Sequence, residues 1–245
     1  MMRVTILGCH SPYPGPGGAT AGYLVETGAV RLLLDCGSGV ISQLTKQLPI
    51  HQLDALLLSH THHDHVADLG VLQYGIMVHQ KAGDRLADNP LPIYAPEVVN
   101  IKLDYQAATR HIPIGANEQL TIGDVRISFC LTDHEETCYA CKLVAGGKTL
   151  VYTADCGPAT QWGGFLRGAD LLICEATFLE RNKPAKPMGH LSVRDAAQLA
   201  QENECQSLVL THLYHGYTAE EVLAEATAFQ NGPVMAASIG LSIQL

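Results

Sequence analysis

The chain predicts a four-layer α/β sandwich in one domain, with two mixed β-sheets face to face and helices outside. Three observations carry this. Short apolar runs bounded by Gly, Pro and Asp recur through the earlier part of the chain. Later, such runs alternate with capped amphipathic helices. No low-complexity linker or clean boundary divides residues 1–245.

In order, Arg3–Leu7 reads as a first strand. Gly8–Gly18 is a Gly/Pro-rich loop, a set of turns or a close approach of backbone to something else. Gly22–Glu26 and Arg31–Leu34 form a hairpin across Thr27-Gly28-Ala29. The segment Asp35-Cys36-Gly37-Ser38-Gly39 then turns into a helix over Val40–Leu48. A glycine-rich turn of this kind can cradle phosphate. This one lacks a P-loop lysine and the full dinucleotide fingerprint, so a tight turn is the better reading. Ala55–Leu58 is a buried strand, and Val66–Val78 is a helix with Leu69, Leu72 and Ile76 on one face. His79–Pro90 is polar and reads as a surface loop, a lid or a contact to another subunit. Pro92–Ala95 is a strand, and Pro96-Glu97-Val98 opens a helix.

His111–Ile114, Gln119–Ile122 and Val125–Leu131 are strands around the Gly123-Asp124 turn. Tyr139–Val144 and Thr149–Tyr152 pair across Gly146-Gly147. Leu171–Glu175, Ser207–Leu210, Val234–Ala236 and Leu241–Ile243 complete the strands. Two capping boxes open the late helices, Ser192-Val193-Arg194-Asp195 and Thr218-Ala219-Glu220-Glu221. Val193, Ala196, Ala197 and Ala200 give the first an apolar face; Val222, Ala226 and Phe229 give the second one.

Fifteen basic against 24 acidic residues leave a net charge of −9. That disfavours a nonspecific nucleic-acid binder, which needs a basic surface. It leaves a phosphate ester open as substrate, because bound metal ions can supply positive charge. No run approaches the roughly 18–20 apolar residues that span a bilayer. The first run, Met1–Gly8, is too short for a signal-peptide core, so a cytoplasmic location with no membrane partner is expected. The eight cysteines sit partly inside apolar runs and read as reduced core residues. Cys138-x-x-Cys141 has no second pair at zinc-finger spacing and reads as part of a strand.

The chemistry gathers at His60-Thr61-His62-His63-Asp64-His65. His60 and His62 are two apart and point the same way on an extended backbone. Asp64 and His65 follow where the chain turns into a helix. His63 points away and reads as a bystander. Further polar residues close apolar strands, where site residues commonly sit: His134, Asp155, Glu175 and His212. His190 stands just ahead of the Ser192 capping box. Taken singly, His134, Asp155 and His212 would pass as ordinary strand-end residues; jointly, in this order after His60–His65, they read as part of a metal site, while His190 also has a structural helix-capping reading. His10, His51, His79, His111 and His215 fit no such pattern.

With these residues in order, the chain resembles the metallo-β-lactamase superfamily, whose motifs are HxHxDH, a lone His, a lone Asp and a last His. Within it the chain resembles the ribonuclease Z-like phosphodiesterase branch. The similarity runs from Ile6-Leu7-Gly8 and Leu34-Asp35-Cys36-Gly37 to Glu175-Ala176-Thr177-Phe178, Gly189-His190-Leu191-Ser192 and Leu210-Thr211-His212. It implies an αββα sandwich, the metallo-β-lactamase fold, and a single hydrolase domain over residues 1–245. It implies two divalent ions, most simply Zn²⁺, with Mn²⁺, Fe²⁺ or Ni²⁺ as substitutes. His60, His62 and His134 would hold one ion, and Asp64, His65 and His212 the other. Asp155 would bridge them. A hydroxide shared by the ions would attack phosphorus, with Asp64 orienting it or taking its proton. His190, held by Glu175, would protonate the leaving oxygen. Family habit also implies a homodimer.

The chain departs from ribonuclease Z in three places. Only residues 135–154 lie between the lone His and the lone Asp, enough for a hairpin but not for the arm that clamps transfer RNA. Asp35-Cys36-Gly37-Ser38-Gly39 replaces DCGEG. No arginine follows His212 within Leu213–Tyr217. A single basic cluster, Arg181, Lys183 and Lys186, fits one or two phosphates better than a folded RNA. The expectation is therefore a phosphodiesterase for a small or cyclic nucleotide-like ester. Alternatives are transfer-RNA 3′-processing, an arylsulfatase or lactonase on the same scaffold, and a non-catalytic metal-binding regulator.

Overall fold

The computed structural model describes residues 1–116, 118–186 and 188–245. The first half runs through β1 (Arg3–Gly8), β2 (His10–Ser11), β3 (Gly22–Glu26), β4 (Arg31–Leu34), α1 (Val40–Leu44) and β5 (Ala55–Leu57). It continues through α2 (His63–Val66), α3 (Leu69–Ala82), β6 (Leu91–Pro96), β7 (Thr109–Ile114), β8 (Gln119–Ile122) and β9 (Val125–Leu131). The second half contains β10 (Tyr139–Ala145), β11 (Lys148–Tyr152), β12 (Leu171–Glu175), α4 (Val193–Glu202), β13 (Leu208–Thr211) and β14 (Leu213–Tyr214). Then come α5 (Ala219–Ala226), β15 (Val234–Ala236) and β16 (Ser242–Gln244).

Two seven-stranded mixed sheets result, ordered β16-β1-β3-β4-β5-β6-β7 and β15-β13-β12-β11-β10-β9-β8. Their facing sides share one apolar layer, with Val4, Tyr23, Leu32 and Leu57 from the first sheet against Phe129, Leu143, Leu150 and Ile173 from the second. The outer face of the first sheet packs on α1 and α3 through Leu33, Leu56, Leu44, Leu72 and Ile76. The outer face of the second packs on α4 and α5 through Leu172, Leu208, Ala196, Ala200 and Val222. The order helix, sheet, sheet, helix is the four-layer sandwich expected, and each buried Val, Leu, Ile or Phe side chain contributes about 1.5–3 kcal/mol by leaving water. Among the described residues no helix is long and apolar enough to cross a membrane.

Three local expectations change. Residues 97–103, expected to begin a helix, run as bends and irregular chain. Gln73 Nε2 donates to the carbonyls of Lys102 (3.1 Å) and Leu103 (2.9 Å), so α3 takes carbonyls that a helix would need for itself. α1 ends at Leu44 rather than Leu48: Lys46 N and Gln47 N bond three residues back, to Gln43 O and Leu44 O, and Pro49 follows. α3 continues to Ala82, taking in His79, and stops at Gly83, whose φ of 86° suits glycine. Both late capping boxes are present, with Ser192 accepting from Asp195 N and Thr218 from Glu221 N. All eight cysteines are free thiols, and only Cys130 is not buried.

Candidate metal centre

Strand direction assembles the site. β4, β5 and β6 are mutually parallel, as are β11, β12, β13 and β15. β9 runs the same way as β11 because both are antiparallel to β10. Asp35, His60, His134, Asp155, Glu175 and His212 therefore all emerge at one edge, between the two sheets. Asp35, Ala154 and His212 have φ of 56°, 52° and 59°. That conformation costs a non-glycine residue about 1–3 kcal/mol, and here it turns the chain sharply at each strand exit. Two buried phenols tie the sheets beside the site, with Tyr23 Oη 2.7 Å from Thr211 Oγ1 and Tyr152 Oη donating to Asp35 Oδ2 at 2.8 Å.

Two groups of donor atoms converge there, His60, His62, His134 and Asp155 in one and Asp64, His65 and His212 in the other, and a third set, Asp155, His190 and His212, overlaps both. His62 Nδ1 lies 3.1 Å from His60 Nε2 and 3.0 Å from His134 Nε2. His65 Nε2 lies 3.3 Å from His212 Nε2, which is 3.2 Å from Asp64 Oδ2. Asp155 stands between the groups. Its Oδ2 is 3.5 Å from His60 Nε2 and 3.7 Å from His134 Nε2. Its Oδ1 is 3.2 Å from His65 Nε2 and 3.3 Å from His212 Nε2. His63, the first residue of α2, is exposed and outside both groups.

The ring nitrogens facing away from the cluster are held. His60 Nδ1 is 3.0 Å from Ser59 Oγ, and that hydroxyl donates to Asp35 Oδ2. His65 Nδ1 is 2.8 Å from Asp35 Oδ2. His134 Nδ1 donates to Gly189 O at 3.1 Å, and a Cβ at position 189 would sit 3.0 Å from that nitrogen. His212 Nδ1 is 2.9 Å from Thr177 Oγ1. The solvent-facing His62 Nε2 is 3.4 Å from Glu135 Oε1. Such partners fix each ring and turn its other nitrogen inward. Ser11 Oγ donates to Asp64 Oδ2 at 3.3 Å, which brings the Gly/Pro-rich loop to the rim.

The electrostatics favour a cation. Burial, then the neighbouring His65, hold His60 well below the usual imidazole range, in the neutral form that ligates. Burial also lowers His134, against the pull of Asp155. Burial opposes ionisation of Asp155, but His212, His65 and His60 outweigh it and hold the carboxyl well below its ordinary value. Burial likewise opposes charge on His65, and Asp155 and Asp35 overcome it and raise that ring well above the ordinary value. Its proton thus does part of what a cation would do. Asp155 Oδ1 is buried and makes no hydrogen bond of acceptable geometry among the described residues. Imidazole nitrogens turned inward about a carboxylate oxygen without a hydrogen-bond partner are the environment that imidazole- and carboxylate-binding divalent ions fill on displacing any such proton. The residues fit the expected group.

Glu175 is fully buried and its Oε1 lies 2.9 Å from His190 Nδ1. The carboxylate also accepts from Cys156 N, Leu191 N and Thr177 Oγ1. Burial works against charge on His190, but Glu175 prevails and raises it to about 9. Beside His134 and Gly189 opens a cavity of about 520 Å³ lined also by Asp133, Glu135, Pro184, Lys186 and Met188. Of the expected basic cluster, Arg181 pairs with Glu221 and Lys183 with Asp195, both at 2.6 Å. Lys186 alone of the three lines the cavity.

Sequence reasoning gave no role to Asp35, Ser59 or Thr177, although Asp35 and Thr177 lie in quoted motifs. Asp35 and Thr177 meet His65 and His212 30 and 35 residues away, Ser59 is adjacent to His60, and none of the three carries a spacing signal of its own. His79–Pro90 does not border the site. It begins at the far end of α3, a 14-residue helix about 20 Å long.

The profile of the β-lactamase superfamily domain matches residues 30–213. A probable metallo-hydrolase, YhfI of Bacillus subtilis, is 38% identical over 243 residues, covering 98% of both chains. The crystal structure of that metallo-β-lactamase fold protein matches at a TM-score of 0.92, over 99% of this chain and 98% of the other. A ribonuclease Z of Bradyrhizobium is 29% identical over 284 residues, covering 92% of this chain and 94% of that one. Human tRNase Z, short form, aligns at a TM-score of 0.74 and 22% identity, over 99% and 98% of the chains, a likeness of fold.

Proposed function

The chain belongs to the β-lactamase superfamily as a metallo-hydrolase, and from its site we propose a dinuclear phosphodiesterase acting on a small or cyclic nucleotide-like ester. In this reading residues 1–245 form a single catalytic domain. His60, His62 and His134 would hold one divalent ion, Asp64, His65 and His212 the other, and Asp155 would span both. Zinc suits this donor set best, with manganese, iron and nickel as alternatives.

The observation that carries the two-ion reading is Asp155. One carboxylate presents Oδ2 to the His60–His134 half and Oδ1 to the His65–His212 half. Bound there, divalent ions supply Lewis acidity and a water acidic enough to ionise near neutral pH. The chain's own residues do the rest. Asp64 Oδ2, fixed by Ser11 Oγ and close to His212 Nε2, orients the nucleophile or takes its proton. Lys186 meets a phosphate oxygen in the cavity beside His134. His190, with Nδ1 tied to Glu175, delivers a proton from Nε2 to the departing oxygen.

A proton donor favours phosphodiesters with alkoxide leaving groups over activated esters. The small-substrate reading follows from residues 135–154, which form a short loop and the β10–β11 hairpin. The ribonuclease Z likeness supports phosphodiester chemistry without requiring structured RNA. The test is a screen of the metal-loaded protein against bis-p-nitrophenyl phosphate, cyclic nucleotides, p-nitrophenyl sulfate, a lactone and a precursor transfer RNA. Turnover of the first two is expected. Sulfate or lactone turnover without phosphodiester turnover overturns the reading, and preferential cleavage of the precursor overturns the small-substrate part.

A further inference from the structure

We propose that the chain carries a second, peripheral site for a divalent first-row transition ion, built by His51, His79 and Asp84 at the far end of α3. These residues each offer a ligand atom within 4.8 Å of the other two. His51 lies in the single helical turn Ile50–Gln52, His79 in the last turn of α3, and Asp84 just beyond the helix stop at Gly83. The imidazole rings are 4.6 Å apart at 51°, and His79 Nδ1 is 2.8 Å from Asp84 Oδ2. Zinc with nitrogen and oxygen ligands at about 2.0–2.2 Å holds them roughly 3.3 Å from one another, so a small closure suffices.

The backbone positions all three before any ion binds. Gly83 in its left-handed conformation folds the chain back, and Asp84 N donates to His79 O at 3.0 Å. Arg85 Nη1 donates to His51 O at 2.9 Å and Leu53 O at 2.8 Å, and its Nε to Asn89 O at 2.8 Å. One guanidinium therefore ties the His51 turn to the segment carrying Asp84. A His79–Asp84 ion pair alone would explain the 2.8 Å contact. It would not explain His51, whose Nδ1 is buried and has no hydrogen-bond partner among the described residues.

The charge at this point suits a cation. The C-terminal end of α3 carries the negative end of its dipole, and Asp84 adds a full negative charge. Lys81 and Arg85 oppose it, but Arg85 is engaged with three carbonyls. With His79 and Asp84 partly open to solvent, at 30% and 47% exposure, water can complete the coordination sphere. The ion would staple the Ile50–Gln52 turn to the end of α3. About 20 Å of helix separates it from the candidate catalytic centre, so the two can be read independently.

The test is equilibrium dialysis of the full chain against a range of free zinc, with metal counted by mass spectrometry. His79→Gln and, as a mild change at an exposed carboxylate, Asp84→Asn are the variants. Wild type is expected to hold one zinc more per chain than His79→Gln. Asp84→Asn should bind that zinc more than about tenfold more weakly, since even partners that merely orient ligands cost that much. Zinc beyond the centre's own complement should raise the melting temperature of wild type and not of His79→Gln. Equal zinc content and affinity in all three proteins overturns the proposal, as does a zinc-soaked crystal with no anomalous peak between His51 and His79.

Discussion

Two carboxylate–imidazole pairs stand within this site, and they differ in what lies beyond the ring. Asp35 holds His65 at 2.8 Å with both side chains fully buried, and His65 Nε2 points at Asp155 and His212. Glu175 holds His190 at 2.9 Å, but the His190 side chain is 19% exposed and its Nε2 has no hydrogen-bond partner among the described residues. Under the proposed function the same pairing would serve two ends. In the proposed mechanism the carboxylate would aim a ligand where the outer nitrogen faces other donors at contact distance, and would keep a proton ready for use where that nitrogen has no hydrogen-bond partner.

The contrast breaks or holds under substitution, with the largest effect expected at the buried pair. His65→Ala should bring turnover of bis-p-nitrophenyl phosphate to background and lower the bound metal count. Activity and metal content near wild type would remove His65 from the ligand set. His190→Ala should leave metal content unchanged. With a poor alkoxide leaving group it should cost about 10²–10⁴-fold in kcat, and far less with p-nitrophenolate. Equal losses on both substrates would mean that His190 is not the acid. Asp35→Asn should weaken metal affinity by about 10–100-fold, with activity restored by excess metal. Failure of added metal to restore it would point to a purely structural role.

A smaller effect separates the pairs by pH. In chelator-treated protein His190 should titrate near 9, against an ordinary value of 6.5. A pKa raised on folding stabilises fully below the unfolded value and loses that contribution as pH rises through the folded one. The Glu175–His190 pair should therefore support stability below about pH 6.5 and stop doing so by about pH 9, worth at most about 3 kcal/mol. Chelated wild type should lose melting temperature across that window, and Glu175→Gln should flatten the slope. NMR titration of His190 at its ordinary value in the wild type would contradict this. The smallest change is Ser192→Ala, which removes the capping box of α4 next to His190 and should cost about 1 kcal/mol in chemical denaturation.

The parts of the molecule that were readable in its sequence are those whose signal is local. His60–His65, the late capping boxes and the apolar strands all announce themselves within a few residues. The lone His134, Asp155 and His212 were readable because each closes an apolar strand and strand direction brings those ends together. What escaped depends on contacts between distant segments. Asp35 meets His65 thirty residues on. Gln73 overrides the expected helix after Pro96 by taking its carbonyls. His51 and His79 belong to separate elements and meet only because α3 folds back along the Ile50–Gln52 turn.

The most direct test is a metal titration of chelator-stripped protein, read as turnover of bis-p-nitrophenyl phosphate so that ion binding at His51–His79 does not contribute. Two-ion catalysis across Asp155 predicts little activity until the second equivalent enters the centre, and none at any metal level in Asp155→Ala. Full activity at a single equivalent, or turnover in Asp155→Ala at the wild-type rate, would contradict it.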